Sequence, residues 1–309
     1  MKLIIAVLLA GAIVVEAKHI VLLSGDEEYR SEESLPMLAK VLEKHHGFKC
    51  TVLYSINKDT GEIDPNTKDN EPGLEALASA DLCVMQLRFR AWPDEQMKQF
   101  IDYYRSGKPI VALRTSTHAF RFAPNSAHLK FNDFGRQVLG ENWVAHWGKH
   151  KFEATRGVTE PGAEQHPILR GVTGIFGDTD VYEAYPPTDA KILVRGQVLK
   201  GMKPDDPPAD YEKKRATDKQ PQGINNPMMP IAWTRLHKND AGKTARIFTC
   251  TMGAATDFQS EGLRRLVVNG CYWALGLENK IPACSNVETV GEYRPSFYGS
   301  NGFKKGMRP

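Results

Sequence analysis

The chain is short of the features that mark specialised classes of protein. Its five cysteines are odd in number and include no Cys-x-x-Cys pair, which removes the commonest dithiol redox and thiolate zinc motifs. Neither sign of charge dominates: 40 Lys and Arg stand against 37 Asp and Glu, for a formal net charge of +3. Basic residues are scattered apart from Lys213-Lys214-Arg215 and Lys304-Lys305, so no nucleic-acid partner is expected. After residue 17 no apolar run approaches the roughly 18 residues that cross a bilayer, so no transmembrane segment is expected in the mature chain. There is no internal repeat.

What the chain does have begins at its start. Lys2, an apolar run from Leu3 to Val15 and the small-residue site Val15-Glu16-Ala17 read as a signal peptide over residues 1–17, cleaved before Lys18. The mature protein is therefore expected to be exported, to a periplasm or outside the cell. No cysteine follows Leu9-Ala10-Gly11, so no lipid anchor is expected there. In an oxidising compartment Cys271 and Cys284, the closest pair in sequence, are the candidates for a disulfide. Cys83 and Cys250 lie within apolar strand-like runs and read as small core residues.

The order of elements alternates. Strands are predicted over His19–Ser24, Phe48–Tyr54, Asp81–Leu87 and Ile110–Leu113, with helices over Leu35–His46 and Pro93–Arg105. In the second helix Met97, Phe100, Ile101 and Tyr104 share one face. Apolar strands separated by amphipathic helices predict an α/β fold, a parallel sheet with helices on both faces. Later strands are predicted over Val181–Tyr185, Lys191–Val194, Met229–Arg235 and Ala245–Thr251, the last two paired through the turn at Asn239–Lys243. A helical piece around Phe131–Leu139 and a closing helix over Glu261–Leu275 complete the set. Residues 18–278 are expected to form one α/β domain, long enough for a large core. Within it, residues 200–228, crowded with Pro, Asp and Lys, read as a surface insertion, and residues 279–309 as an irregular tail.

The segment Lys108-Pro-Ile-Val-Ala-Leu-Arg-Thr-Ser-Thr-His118 has the form of a nucleophile elbow, a short strand ending in a sharp turn that presents its first residue. That residue would be Arg114, a permanent cation able to clamp an oxyanion or sugar oxygen but unable to attack a carbonyl. In such a sheet ligands bind beyond the carboxyl ends of the strands. The residues there are Asp26, Glu27, Glu28, Tyr29 and Arg30 after the first strand, and Arg88, Phe89, Arg90 and Trp92 after the third. The fourth contributes Arg114, Thr115, Thr117 and His118, and the late strand Gly253, Thr256 and Asp257. Acids, arginines and aromatics on one rim suit a small carbohydrate, whose C–H faces stack on rings and whose hydroxyls bond charged groups. Ser24 and Ser116 would be nucleophiles only with a histidine in reach. His166, before Pro167, reads as a turn support.

His146 and His150 stand four apart. If their stretch is helical they share a face and could hold a divalent transition metal such as Zn, completed by His118 or Glu153. Without a metal, either imidazole could serve as a general base near neutral pH.

The elbow, His166-Pro-Ile-Leu-Arg-Gly171 leading into Asp180-Val-Tyr-Glu183, Ala245-Arg-Ile-Phe-Thr-Cys-Thr-Met-Gly253 and Asn269-Gly-Cys-Tyr-Trp-Ala-Leu-Gly276 together resemble the ThuA-like (trehalose-utilisation) proteins over Lys18 to Leu277. The resemblance implies a flavodoxin-like, class I glutamine amidotransferase-like fold. It puts Arg114 and Ala254 in the seats of the amidotransferase Cys and His, so glutamine amidotransfer, which needs that pair, is not expected. ThuA-like proteins commonly carry a His in the elbow and a Gly-His in the late turn, and this chain departs from both. The role implied is in carbohydrate metabolism, particularly of keto-sugars. If the protein is an enzyme, the expected chemistry is isomerisation, epimerisation or elimination, with His118 or Glu28 as acid/base and Arg114 steadying an enolate oxygen. Asp26, Glu27, Tyr29, Arg30, Arg88, Arg90, Trp92, Thr117 and Asp257 are expected to bind the ligand. The competing expectations are a non-catalytic carbohydrate-binding protein on the same scaffold and a metal-dependent hydrolase using His118, His146 and His150. Homo-oligomerisation is left open.

Overall fold

The structure is a computed structural model describing residues 17–309; the expected leader, Ala17 apart, lies outside the described residues. In chain order the strands are β1 (His19–Gly25), β2 (Lys49–Tyr54), β3 (Leu82–Leu87), β4 (Ile110–Ala112), β5 (Ala145–His146), β6 (Thr155–Thr159) and β7 (Phe176–Gly177). They continue with β8 (Tyr182–Glu183), β9 (Lys191–Val198), β10 (Glu212–Lys214), β11 (Pro221–Gly223), β12 (Met229–Lys238) and β13 (Thr244–Cys250). The α-helices are α1 (Ser31–His46), α2 (Asp94–Arg105) and α3 (Glu261–Ala274). Among the described residues no helix is long and apolar enough to cross a membrane.

Nine strands form one sheet in the order β2-β1-β3-β4-β13-β12-β9-β6-β7. The first five are parallel to one another, and β12, β9, β6 and β7 extend the sheet antiparallel. β1 is buried at every position because both its faces are covered, which is why it reads as an unbroken apolar run. Side chains still alternate between faces. Ile20, Leu22, Leu82 and Val84 pack with Leu38 and Val41 of α1 and Leu266 of α3, whereas Val21, Leu23, Cys83 and Met85 pack with Met97 and Phe100 of α2.

Local chemistry sets the helix boundaries. The Gly47 amide caps α1 from the left-handed region at φ 68°, where a Cβ would be strained. Ser260 accepts a bond from Leu263 N at the start of α3. In mid-helix, Gly270 lets α3 lie against the sheet: a Cβ there would stand 2.4 Å from the Phe248 ring.

Several sequence expectations need revision. The elbow does not present its first residue, Arg114, which is buried, and it continues into a single 3-10 turn, Ser116–His118. The Phe131–Leu139 piece divides into a 3-10 turn at Leu129–Asp133 and a π-turn at Gly135–Leu139. His146 ends a two-residue strand and His150 lies in the turn beyond it, so the two are not on a helical face. All five cysteines are free, Cys271 inside α3 and Cys284 exposed, so they are not joined.

The 200–228 stretch contains the β10–β11 hairpin. The 279–309 segment has no strand or α-helix, yet it packs closely: Ile281 and Val287 enter the main core, and Tyr298 is buried beside the carboxyl end of β1.

Candidate active site

The chain leaves β1 for β2 on one side and returns to β3 on the other, which opens a crevice at the carboxyl ends of the strands. The turns after β1, β3 and β4 line this crevice. Residues 143–150 and 178–185, linked by the β5–β8 pair, stand over it.

The elbow does not present Arg114. Its side chain turns under the rim and is 1% exposed, so the expected contact with an enolate oxygen is ruled out by burial. Nη1 donates to the Asp180 and Thr251 carbonyls at 2.8 and 3.0 Å, and Nη2 donates to Asp180 Oδ1 at 3.0 Å and Tyr29 Oη at 3.3 Å. The guanidinium lies between the rings of Tyr29 and Tyr182, 4.5 and 3.9 Å from their centroids. A buried cation so enclosed needs an anion, and Asp180, fully buried, supplies it.

Asp180 also accepts from both histidines, His146 Nδ1 at 2.8 Å and His150 Nδ1 at 3.0 Å. Burial alone would raise this carboxyl, but Arg114 and the two imidazoles outweigh it and hold the group well below the usual carboxylate range. His150 is gripped on its other side by Glu28, Nε2 to Oε1 at 3.3 Å. The bonds to Asp180 and Glu28 lift it to about 9, against the opposing effect of burial. Burial pushes Glu28 up, yet His150 and Arg88, the latter at 3.3 Å, leave it below its ordinary value.

His146 differs from His150. Its Nδ1 is fixed by Asp180, its Nε2 makes no hydrogen bond among the described residues, and its side chain is 37% exposed. It faces a pocket of about 60 Å³ whose other walls are Glu28, Tyr29, Arg88, Phe89, His118, Trp143 and Tyr182. His118 lies 5.4 Å from Trp143 and 6.4 Å from Tyr182 between ring centroids. Burial, then Arg88, Arg114 and Arg121, push its imidazole well below the ordinary value, so it is neutral at physiological pH. Phe89, His118 and Trp143 also line a second, outer cleft of about 240 Å³. A hollow of about 240 Å³ at the amino ends of the strands has His19, bonded at both ring nitrogens, and Asp81, tied to Lys18, and one of about 460 Å³ beside Tyr211 and Lys213 is lined by no histidine among the described residues.

The other rim residues divide into supports and linings. Asp26 is buried and accepts from Glu28 N, Tyr29 N and Thr115 Oγ1 at 2.8, 3.1 and 2.7 Å, which shapes the turn after β1. Glu27 gathers Arg88, Arg90 and Lys68 at 2.8, 3.1 and 3.2 Å. Arg90 is fully buried on Ser55 and the Pro65 and Thr67 carbonyls. Trp92 sits among Phe100 and Phe120, and Arg30 is enclosed with its Nη2 on Gly299 O. Asp257 accepts from Gly253 N, Ala254 N, Thr179 N and Thr179 Oγ1. Burial removes Asp26, Arg30, Arg90, Trp92, Arg114 and Asp257 from ligand contact and makes them the frame of the rim. Thr117 lines the outer cleft and lies 3.4 Å from His118 Nδ1. Ser24 bonds Ser31 and Ser116 bonds the Met85 carbonyl, so neither meets a histidine. His166 Nδ1 accepts from Ile168 N and supports its turn.

His146, His150 and Asp180 offer ligand atoms within 4.8 Å of one another. The set differs from the expected one. His118 lies across the pocket, and Glu153 bonds Lys149 N and Tyr211 Oη. Both Nδ1 atoms are already within hydrogen-bond distance of the carboxylate, and Arg114 stands 3.0 Å from one of its oxygens. A divalent cation there would face a buried fixed positive charge, so the donor set fits a proton better than a metal.

The trehalose utilisation (ThuA) family profile matches residues 20–274. Among solved structures, the chain is similar to a ThuA-like protein of Parabacteroides merdae ATCC 43184, with a TM-score of 0.54 and 16% identity over 93% of this chain and 96% of that one. It is also similar to a ThuA-like protein of Bacteroides uniformis ATCC 8492, with a TM-score of 0.51 and 14% identity over 84% and 91%. At these identities the likeness shows the fold, an α/β arrangement of the flavodoxin-like kind. No curated protein matches the chain.

Proposed function

The chain belongs to the ThuA (trehalose utilisation) family, and from that premise we propose that it is an exported enzyme moving protons beside the carbonyl of a keto-sugar, as an isomerase, epimerase or lyase. The observation that carries the reading is His146, with Nδ1 held by buried Asp180 at 2.8 Å and Nε2, at the pocket wall, without a hydrogen bond among the described residues. An imidazole so fixed is a directed base: Nε2 takes a proton from the carbon next to the carbonyl, and Asp180 stabilises the imidazolium that forms. Arg114, balancing Asp180 from behind, is a positioning residue.

Across the pocket, neutral His118 has a proton to share with the developing enolate oxygen. Arg88, whose side chain is 22% exposed, supplies the positive charge expected earlier of Arg114. Glu28, tied to Arg88 and His150, orients both and is poorly suited to give up a proton. The protonated His146 then returns its proton to the adjacent carbon or to a leaving oxygen.

The test is solvent exchange. Keto-sugars of several configurations are incubated with the protein in D2O and the protons next to the carbonyl followed by NMR, for wild type and His146→Gln. The rate is expected to fall about 10²- to 10⁴-fold in the variant. Binding without exchange in the wild type would favour a non-catalytic carbohydrate-binding protein, and exchange unaffected by His146→Gln would overturn the assignment of the base.

A further inference from the structure

The outer cleft is chemically unlike the inner pocket. Its volume is about 240 Å³, and Phe89, His118 and Trp143 are walls common to both. Trp143 is 37% exposed, a large flat surface left open at the mouth. Phe89 holds a left-handed backbone at φ 55°, a costly conformation for an aromatic residue. Its amide donates to the His118 carbonyl at 3.0 Å, so the turn that carries it is anchored to the elbow.

The polar side chains of this cleft are largely spent. Asn132 accepts from Phe122 N at 2.6 Å and donates to Phe122 O at 2.9 Å. Asn142 accepts from Arg136 N at 2.8 Å and donates to Asp133 at 2.6 Å. A cleft that reads a polyhydroxylated ring needs free donors and acceptors around its edge, and this one has few. It has instead Arg121, whose guanidinium lies 3.5 Å from the centroid of Phe89. Arg121 is exposed and has no carboxylate within ion-pair distance among the described residues. Among the described residues no acidic side chain lines the cleft.

Arg121 and Arg88 cover the Phe89 ring and Phe120 is buried, so the open ring is Trp143. One such aromatic face beside a planar cation without a carboxylate partner selects a flat group carrying one negative charge. Resting on the reading of the inner pocket given above, we propose that the outer cleft is a subsite for a flat, anionic aglycone. The substrate class is then an oxidised glycoside of an aromatic acid, its sugar carbonyl toward His146 and its carboxylate on Arg121.

Benzoate and benzamide, alike in shape and different in charge, probe the subsite without the sugar. Titrated by NMR against the full mature chain, benzoate is expected to bind about fivefold tighter than benzamide, the scale of one partly exposed ion pair. The preference should vanish in Arg121→Ala, remain in part in Arg121→Lys, and persist in His146→Gln. That last variant separates failure of the subsite from failure of the acid–base assignment. Equal binding of the two probes, a preference surviving Arg121→Ala, or no saturable binding of either would overturn the proposal.

Discussion

Replacing Asp180 by Asn tests the centre of the site. The two side chains are nearly isosteric, so packing is preserved while the charge is lost. The side chains of Asp180 and Arg114 are 0% and 1% exposed, and the carboxylate takes hydrogen bonds from Arg114, His146 and His150 at 3.0, 2.8 and 3.0 Å. Asn leaves a buried guanidinium without its anion and turns an amide donor toward atoms that were donating. Breaking one partner of a buried ion pair costs about 3–5 kcal/mol. In a domain of this size that is a fall in Tm of roughly 6–20 °C.

The double variant Arg114→Met/Asp180→Asn removes both charges and should recover part of the loss. The pH profile carries an independent sign. His150 stands at about 9 in the folded protein, against an ordinary 6.5. Its contribution to stability is therefore complete below about pH 6.5 and lost as pH rises to about 9. Because the hydrogen bond to Asp180 is the largest cause of that lift, Asp180→Asn should flatten the decline between pH 6.5 and 9. Urea unfolding at pH 6 and 9 for the wild type, both single variants and the double variant reads all of this. A loss below about 1 kcal/mol in Asp180→Asn, or strict additivity of Arg114→Met and Asp180→Asn, would refute the picture of a coupled buried pair.

Two further outcomes are expected. Gly270→Ala places a methyl 2.4 Å from the Phe248 ring and should cost about 1–3 kcal/mol by overpacking, seen as a lower Tm with an unchanged far-ultraviolet spectrum; an unaltered Tm would mean that α3 sits farther from the sheet. Elemental analysis of protein purified without chelator should give no stoichiometric transition metal, because Arg114 already balances Asp180. Near-stoichiometric Zn lost in His146→Ala/His150→Ala would replace the hydrogen-bonded dyad with a metal centre.

The distance between sequence and site is clearest in two pairs of residues. Arg114 was legible as the residue at the end of β4, but its rotation beneath the rim depends on Asp180 and on the rings of Tyr29, in the turn after β1, and Tyr182, in β8. His146 and His150 were legible as a pair, though the helix expected to align them is absent; Asp180, 34 and 30 positions away, brings them together. Asp180 itself stood within a noted motif, yet nothing local marked it as a partner of both histidines. Tyr298, in a tail with no periodicity, stacks on Tyr29 at 5.1 Å and approaches His150 at 5.6 Å; composition gives no hint of that.

The sequence by itself determined the order of apolar strands and amphipathic helices and the rim at the carboxyl ends of the strands. Those follow from short-range rules: period-two and period-3.6 patterning, glycine at helix ends, and the tendency of buried parallel strands to be apolar throughout. The tertiary structure alone decided which charged rim residues line the pocket and which are enclosed. That choice depends on pairings across 66 residues, as between Arg114 and Asp180. In a low-dielectric interior a charge is tolerated only where a distant partner meets it.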